Sequence, residues 1–581
     1  MNLTSIQVAQ PYWPIYIDST TDLEQFIFAV FCIQNPNVNC SKKDFQEIQQ
    51  DQYCILYDII RQMLDYASGD GISVILESDY VDPVYRDSFY MHYAKKHFDY
   101  SRSCVRVSFF KGKIDKLFLN SYDSLYDRAN LLSTGSDVEN ELEKVFLGFS
   151  VIRPLQQGKI GRTIITPCCM VDGQYNIRTS KYDCTIYGIR LYIDAFPFMM
   201  QDSETATCAE VSLLLLLDYY GKRYAEYRTA YASNVADVAG MQLYERSVPT
   251  HGLSYPVLTR VLKEFGFQPR LYRSNEIGID LLPVIFSYVE SAMPIAIGID
   301  GMTNEGQGHS VVCIGHKQRD IERLSSKVYK NLFLADAING EMSFVYLCDA
   351  SDAYKDYIVM DDNKCPYQTI SIEREGYVSK HKLVYKVDQS NSFRISNVAV
   401  PMHSQMDMEA HDALAIFRQI LTSKFGLTAQ FKSYTNEELS SVLNLIDITD
   451  GIIPGARADA PIVMRIFLSS TRSYKRFRRR ENSSIFAASK YATLSLPRFI
   501  WVCEIGTLKS FENKQIIGEI ILDATSSKNN DLNSIVLMQY PGTIATRRTN
   551  ELNQRLINTL SNQKIIFDWK PYREFSFNDE D

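Results

Sequence analysis

Apolar residues recurring three and four positions apart predict helices at Asp22–Ile33, Lys43–Asp65, Tyr255–Phe265 and Met408–Phe425. In Tyr255–Phe265 the stripe is Val257, Leu258, Val261, Leu262 and Phe265. Leu281–Ser291 repeats the pattern. A period of two marks strands at Ser103–Phe110, with Val105, Val107 and Phe109 on one face, and at Val145–Arg153. A turn at Pro154–Gly158 and a second strand, Ile160–Thr166, complete a hairpin. Tyr187–Ile193 reads as a further strand, with Asp194-Ala195-Phe196-Pro197 breaking the pattern. Thr207–Tyr220 is apolar almost all round and reads as a buried helix, with Gly221 as its stop.

Further on, Ile295–Ile299, His309–Gly315 and Tyr357–Met360 are short buried strands. A Gly-rich loop, Asp300–Gly308, leads into the second of them. Arg319–Glu341 begins polar and charged and looks inserted. Past residue 400, Ile462–Leu468, Phe499–Ile505 and Gly518–Leu522 are apolar and strand-like, with the more polar Gly506–Lys514 between the last two. The tail after Phe575 is acidic and expected to be loose. The mixture predicts an α+β chain.

Length changes this picture first. The chain has 581 residues, more than one ordinary core holds, so about three domains are expected. Net charge is −8, which argues against a chain built to coat nucleic acid. The run Lys475-Arg476-Phe477-Arg478-Arg479-Arg480 keeps that partner open. It reads as a solvated loop or helix end; the other reading is docking to an acidic partner, a lipid headgroup or nucleic acid. No secretion signal is visible, and no apolar window reaches the roughly 18 residues of a membrane span. The expected compartment is the cytoplasm, where thiols stay reduced.

Twelve cysteines are spread along the chain and none forms a Cys-x-x-Cys pair. A disulfide framework or zinc ribbon is not expected, nor a cofactor. Gly306-x-Gly308 lacks the helix and Lys-Ser/Thr pair of a phosphate loop. Asp361-Asp362-Asn363 lacks a spaced ligand set for a divalent ion. Most of the cysteines are packing residues.

Cys208 stands apart. It falls in the first turn of the apolar helix, where free N–H groups and the helix dipole favour negative charge. The thiolate is the nucleophilic form of cysteine. His309 opens a strand after the flexible loop and is placed to face a cleft as base. Asp361, at the end of strand Tyr357–Met360, can accept from the far ring nitrogen and fix its tautomer. Gln201, a short loop upstream, can donate to a developing oxyanion together with the Cys208 amide. His309 has a rival in His316, which next to Lys317 is expected to face solvent, and His251 is expected in a turn. Asp361 has rivals in Asp362 and Asn363. Strand alternation lets one of two neighbours face the histidine, and Asp361 is preferred.

The order Gln201, Cys208, His309, Asp361 resembles the papain-like cysteine peptidase superfamily, and within it the bacterial peptidases that trim double-glycine leader peptides. The Gln201-to-Cys208 spacing is one residue longer than that pattern. The His309-to-Asp361 spacing is also longer, through an insertion between Lys317 and Asp356. Flanking phrases resemble a group of large, mostly uncharacterised bacterial proteins. They are Gly148-Phe149-Ser150-Val151-Ile152-Arg153-Pro154, Ile160-Gly161-Arg162-Thr163, Tyr357-Ile358-Val359-Met360-Asp361-Asp362-Asn363 and Pro497-Arg498-Phe499-Ile500-Trp501-Val502.

The resemblance implies a papain-like core at 186–400, with a central helix carrying the cysteine and an antiparallel sheet carrying the histidine and aspartate. It leaves an N-terminal α+β region, 1–185, and a C-terminal one, 401–581, to select substrate or restrain the site. The function it implies is thioester-forming hydrolysis of a protein or peptide. The large flanking regions alone suggest a regulated protease of a defence or stress pathway, with a co-encoded protein as the expected partner. A deamidase or transamidase would use the same triad. A non-catalytic recognition protein or scaffold is the third reading. No transporter or ATPase segment is seen, so leader export is not expected.

Overall fold

The structure is a computed structural model that describes residues 14–35, 53–115, 137–186, 188–240, 253–300, 308–331, 343–374, 383–386, 392–437, 439–440, 452–481, 491–526, 532–541, 543–546 and 570–571. His251, Tyr187, Gly301, Gly306, the start of the helix expected from Lys43, part of Arg319–Glu341 and the acidic tail lie outside those residues. The fold is mixed α+β with mainly antiparallel sheets. Among the described residues no helix is long and apolar enough to cross a membrane.

The chain forms two compact units. One comprises Met1–Gly266, Ala296–Ile314 and Ile358–Ile370. The other comprises Phe267–Ile295, Gly315–Tyr357 and Ser371–Asp581.

The first unit opens on seven strands, β1 (Ile15–Ile17), β2 (Ile72–Tyr80), β3 (Cys104–Lys111), β4 (Phe146–Ile152), β5 (Ile160–Ile165), β6 (Ser180–Ile186) and β7 (Ile189–Phe198). They form one antiparallel sheet in the order β1-β2-β3-β4-β5-β7-β6. β6 shows plain alternation: Tyr182, Cys184 and Ile186 are buried while Lys181, Asp183 and Thr185 are exposed. The β4–β5 hairpin holds as expected, with Phe149 opposite Ile164. Gly148 opposes Ile165 with φ of 120°, and a Cβ there would lie 2.1 Å from the Ile164 carbonyl oxygen.

β7 corrects one expectation. It does not break at Asp194 but runs on to Phe198, with Pro197 opposite Ile164 and Phe196 opposite Ile165. Its last residues, Ala195 to Phe198, are all buried. Alternation therefore stops where the second face becomes covered, not where the strand ends.

Helix α1 (Cys208–Arg223) follows, and then α2 (Tyr255–Glu264). α1 is buried along most of its length, as its composition predicted. Gly221 does not stop it. A Cβ on Gly221 would lie 2.6 Å from the Thr229 backbone nitrogen, so the glycine admits the chain that crosses the helix there. The unit also contains β8 (Ile295–Asp300) from Ala296 on. It holds the stretch His309–Ile314 of β9 (His309–Lys317) and Ile358–Met360 of β10 (Asp356–Met360). β8 pairs β9, and β9 pairs β10.

The second unit contains α3 (Leu281–Glu290) and α4 (Ala410–Leu421). The helix expected over Met408–Phe425 ends at Leu421. A second one, Leu427–Ser433, starts after Gly426, whose Cβ would lie 2.1 Å from the Leu421 carbonyl oxygen. β11 (Ile462–Ser470), β12 (Phe499–Gly506) and β13 (Gly518–Asp523) are antiparallel neighbours, and α5 (Thr471–Glu481) follows β11. Gly506–Lys514 holds a short helix, Leu508–Glu512.

Two charge assignments change here. His316 does not face solvent: it is 4% exposed, and its Nε2 lies 2.6 Å from Glu290 Oε2. The basic run is not a wholly solvated element either. Arg478 is 1% exposed and donates to Glu504 at 2.8 Å and to Glu519 at 2.7 Å. Arg465 completes the chain of charges, with Nε 2.7 Å from Glu290 and Nη1 2.6 Å from Glu504. Buried charges persist only when paired in this way.

Candidate functional site

Cys208 is the first residue of α1, and Thr207 is its N-cap. Glu210 Oε2 accepts from the Thr207 N–H at 2.8 Å, closing a capping box that fixes where the helix begins. Cys208 is half-buried. His309 opens β9 and is 8% exposed; Asp361 follows the last residue of β10 and is 3% exposed. His309 Nε2 lies 2.9 Å from Asp361 Oδ1. Cys208 is near enough to the same ring to raise its titration. Asp361 holds Nε2, so Nδ1 is the nitrogen it leaves.

Burial alone would push the imidazole down. The bonds to Asp361 and Cys208 and the charges of Asp361 and Asp362 more than offset it, raising His309 to about 10. That direction favours the charged ring at neutral pH. That charge persists until pH rises through about 10.

Three hydroxyls hold the two halves of this arrangement together. Ser310, next to His309, donates to Ser212 Oγ at 3.0 Å, one helical turn beyond Cys208. Tyr255 Oη of α2 lies 3.0 Å from Ser310 Oγ. Gly298 on β8 makes room for that ring, because a Cβ would lie 2.8 Å from it. On the other side Tyr367, in the segment after Asp361, donates to the Ile165 carbonyl at 2.7 Å and accepts from the Phe196 N–H at 2.9 Å. The aspartate turn is thereby tied to β5 and β7.

Gln201 is close by but is turned toward a neighbour of the triad. Its Nε2 donates to Asn363 Oδ1 at 2.8 Å. The amide has a second N–H, which remains for an oxyanion. Asp362 also reaches the ring: its Oδ1 is 3.6 Å from His309 Nε2. The alternation argument for a single facing carboxylate does not apply, because the strand ends at Met360 and both residues lie in the turn beyond it. Nε2 and the two carboxylates lie within 4.8 Å of one another, the one such donor set among the described residues. Asp361 and the ring fill it with a hydrogen bond.

Asp202 carries a role that the sequence reading missed. Its Oδ1 accepts from the N–H groups of Glu204 at 3.0 Å, Thr205 at 2.7 Å and Ala206 at 2.9 Å. Burial would raise its carboxyl, but the Arg153 charge and these bonds bring it below the usual carboxylate range. The loop from Gln201 to Cys208 is therefore wound round one buried carboxylate. The Asp-x-x-Thr spacing is a side-chain turn signature that could have pointed to it. The loop is braced from outside by His92, whose Nε2 is 2.6 Å from Glu204 Oε2, and by Thr205 Oγ1, 3.3 Å from Ser88 Oγ.

Gly158 presses against the same loop. Its φ is 62°, and a Cβ would lie 2.2 Å from the Gln201 carbonyl oxygen and 2.9 Å from Asp202 Cα. Gly158→Ala is expected to cost about 1–3 kcal/mol in chemical denaturation, since a left-handed backbone and a backbone clash act together. It is also expected to slow alkylation of Cys208 by displacing the loop. Unchanged stability would show that the loop gives way freely.

The chain matches no family model, and comparison with curated proteins and with solved structures finds no match.

Proposed function

We propose that the chain is a papain-like cysteine peptidase acting on a protein or peptide. The observation that carries this reading is the His309 ring held by Asp361 at 2.9 Å, with Cys208 at the start of a buried helix. In this reading Cys208 Sγ attacks a peptide carbonyl, and the oxyanion is held by the Cys208 N–H and the free N–H of Gln201. His309 gives its proton to the leaving amine as the C–N bond breaks, and a thioester remains. Water then attacks the thioester; His309 takes its proton and returns it to the sulfur as the acid leaves. Asp361 keeps the ring oriented throughout. A reducing compartment such as the cytoplasm suits a site that needs its thiol free.

The test is selective alkylation. Iodoacetamide near pH 6 should modify Cys208 at least about 10-fold faster than exposed Cys32 and Cys168, because the thiolate is the reactive form. Equal rates would sink the reading and favour a non-catalytic scaffold. With a candidate substrate in hand, mass spectrometry separates a chain break from the shift of about one mass unit that a deamidase leaves on its target.

A further inference from the structure

Asp362 has no part in the chemistry above. It is as buried as Asp361, at 3% exposure, yet neither of its carboxylate oxygens has a hydrogen-bond partner among the described residues. A buried carboxylate without partners is costly unless it is neutral or faces a cation. It faces the His309 ring at 3.6 Å. Asp361 holds the same nitrogen at 2.9 Å and is anchored from behind by the Asn363 N–H at 3.0 Å. Two carboxyl groups thus converge on one N–H, and their repulsion is relieved when one of them carries a proton. Asp361 has both hydrogen bonds, so the exchangeable proton belongs to Asp362.

We propose that Asp362 is a second, proton-switched positioning residue of this site: neutral, it leaves His309 to Asp361; ionised, it adds a second negative charge that holds the ring as imidazolium. This rests on the reading of Cys208 and His309 as thiolate and partner. Burial raises the Asp362 carboxyl to about 7, with His309 opposing the rise and Asp361 adding to it. The switch therefore falls near neutral pH, well below the loss of the ring proton at about 10. The ionisable groups facing Asp362 are His309 from β9 and Asp361 from its own turn. Cys208 of α1 also acts on the ring, and Tyr255 of α2 feels both Cys208 and Asp300 of β8.

The consequence is specific to one limb of a pH profile. While Asp362 is neutral it adds no charge beside the ring, so removing the carboxylate leaves the acid limb alone. Loss of the ring proton at high pH occurs while Asp362 is ionised, so removing the charge makes that loss easier. The experiment follows iodoacetamide alkylation of Cys208 by mass spectrometry from acid to alkaline pH, in the full chain. Wild type should show a lower step, where alkylation sets in, and an upper one, where the ring proton is lost. Asp362→Asn, and Asp362→Ala as a variant that adds no new donor, should keep the lower step and move the upper one down by about 1 pH unit.

An upper step unmoved in a folded variant overturns the proposal, whatever happens to the rate. Failure of both variants to fold also overturns it and makes Asp362 a structural residue. A wild-type Cys208 with no lower step would instead sink the peptidase reading, so the two failures are told apart.

Discussion

Cys208→Ala is expected to abolish turnover of any substrate this site accepts, and His309→Ala to lower kcat by about 10⁴-fold or more. The two losses should not add. A thiol without its imidazolium is a weak nucleophile near neutral pH, and an imidazolium without the thiol has nothing to protonate after attack. Removing both should therefore cost little more than removing one. Stability is expected to change little with Cys208, which is half-buried, and more with His309, whose loss leaves two carboxyl groups facing each other in the interior. The measurement is hydrolysis of a peptide library by wild type and both variants, with unfolding curves as control. A His309→Ala protein that keeps wild-type kcat would show that the proton moves by another route.

Arg465→Met is expected to be among the most destabilising single changes in the second unit, at about 3–5 kcal/mol. Arg465 is 1% exposed and bridges Glu290 to Glu504; Arg478 bridges Glu504 to Glu519. Removing the bridge leaves Glu290 to His316 and Glu504 to Arg478, both in the interior. Burial pushes Glu290 up, but Arg465 and then His316 bring it down to about 2. A carboxyl depressed from 4.5 contributes stability that is present above about pH 4.5 and fades as pH falls toward 2. The variant should lose that contribution at neutral pH. Hydrogen exchange of the strands Ile462–Ser470 and Phe499–Gly506 reads it locally, and protection should fall by about 10²-fold or more. Unchanged protection would mean that the methionine repacks among the neighbours without cost.

The cysteine end of the site was legible because two local signals coincide at Cys208, a helix start and an apolar run; the Thr207–Glu210 capping box was not read. His309 and Asp361 were legible as polar residues at the ends of apolar strands. What escaped the sequence are pairings between distant residues. His316 looked solvent-facing beside Lys317, yet its partner Glu290 lies 26 positions away. Arg478 sat in a run of cations, and its partners lie 26 and 41 positions away. Local pattern cannot tell a charge bound for a buried partner from one bound for water. The same limit hid Asn363, which takes the Gln201 amide across 162 positions. The continuation of β7 escaped for a different reason, since a strand covered on both faces loses the alternation that reveals it.

The order in which the triad is made follows from how the first unit is assembled. Its residues come from three stretches of sequence, with Cys208 in the first, His309 in the second and Asp361 in the third. Asp361 follows His309 by 52 positions, which at about 5–20 residues per second takes a ribosome roughly 3–10 s. A nascent chain therefore displays the thiol before it owns the base, and the base before its anchor. In the proposed peptidase, chemistry at Cys208 therefore waits until the third stretch has been made.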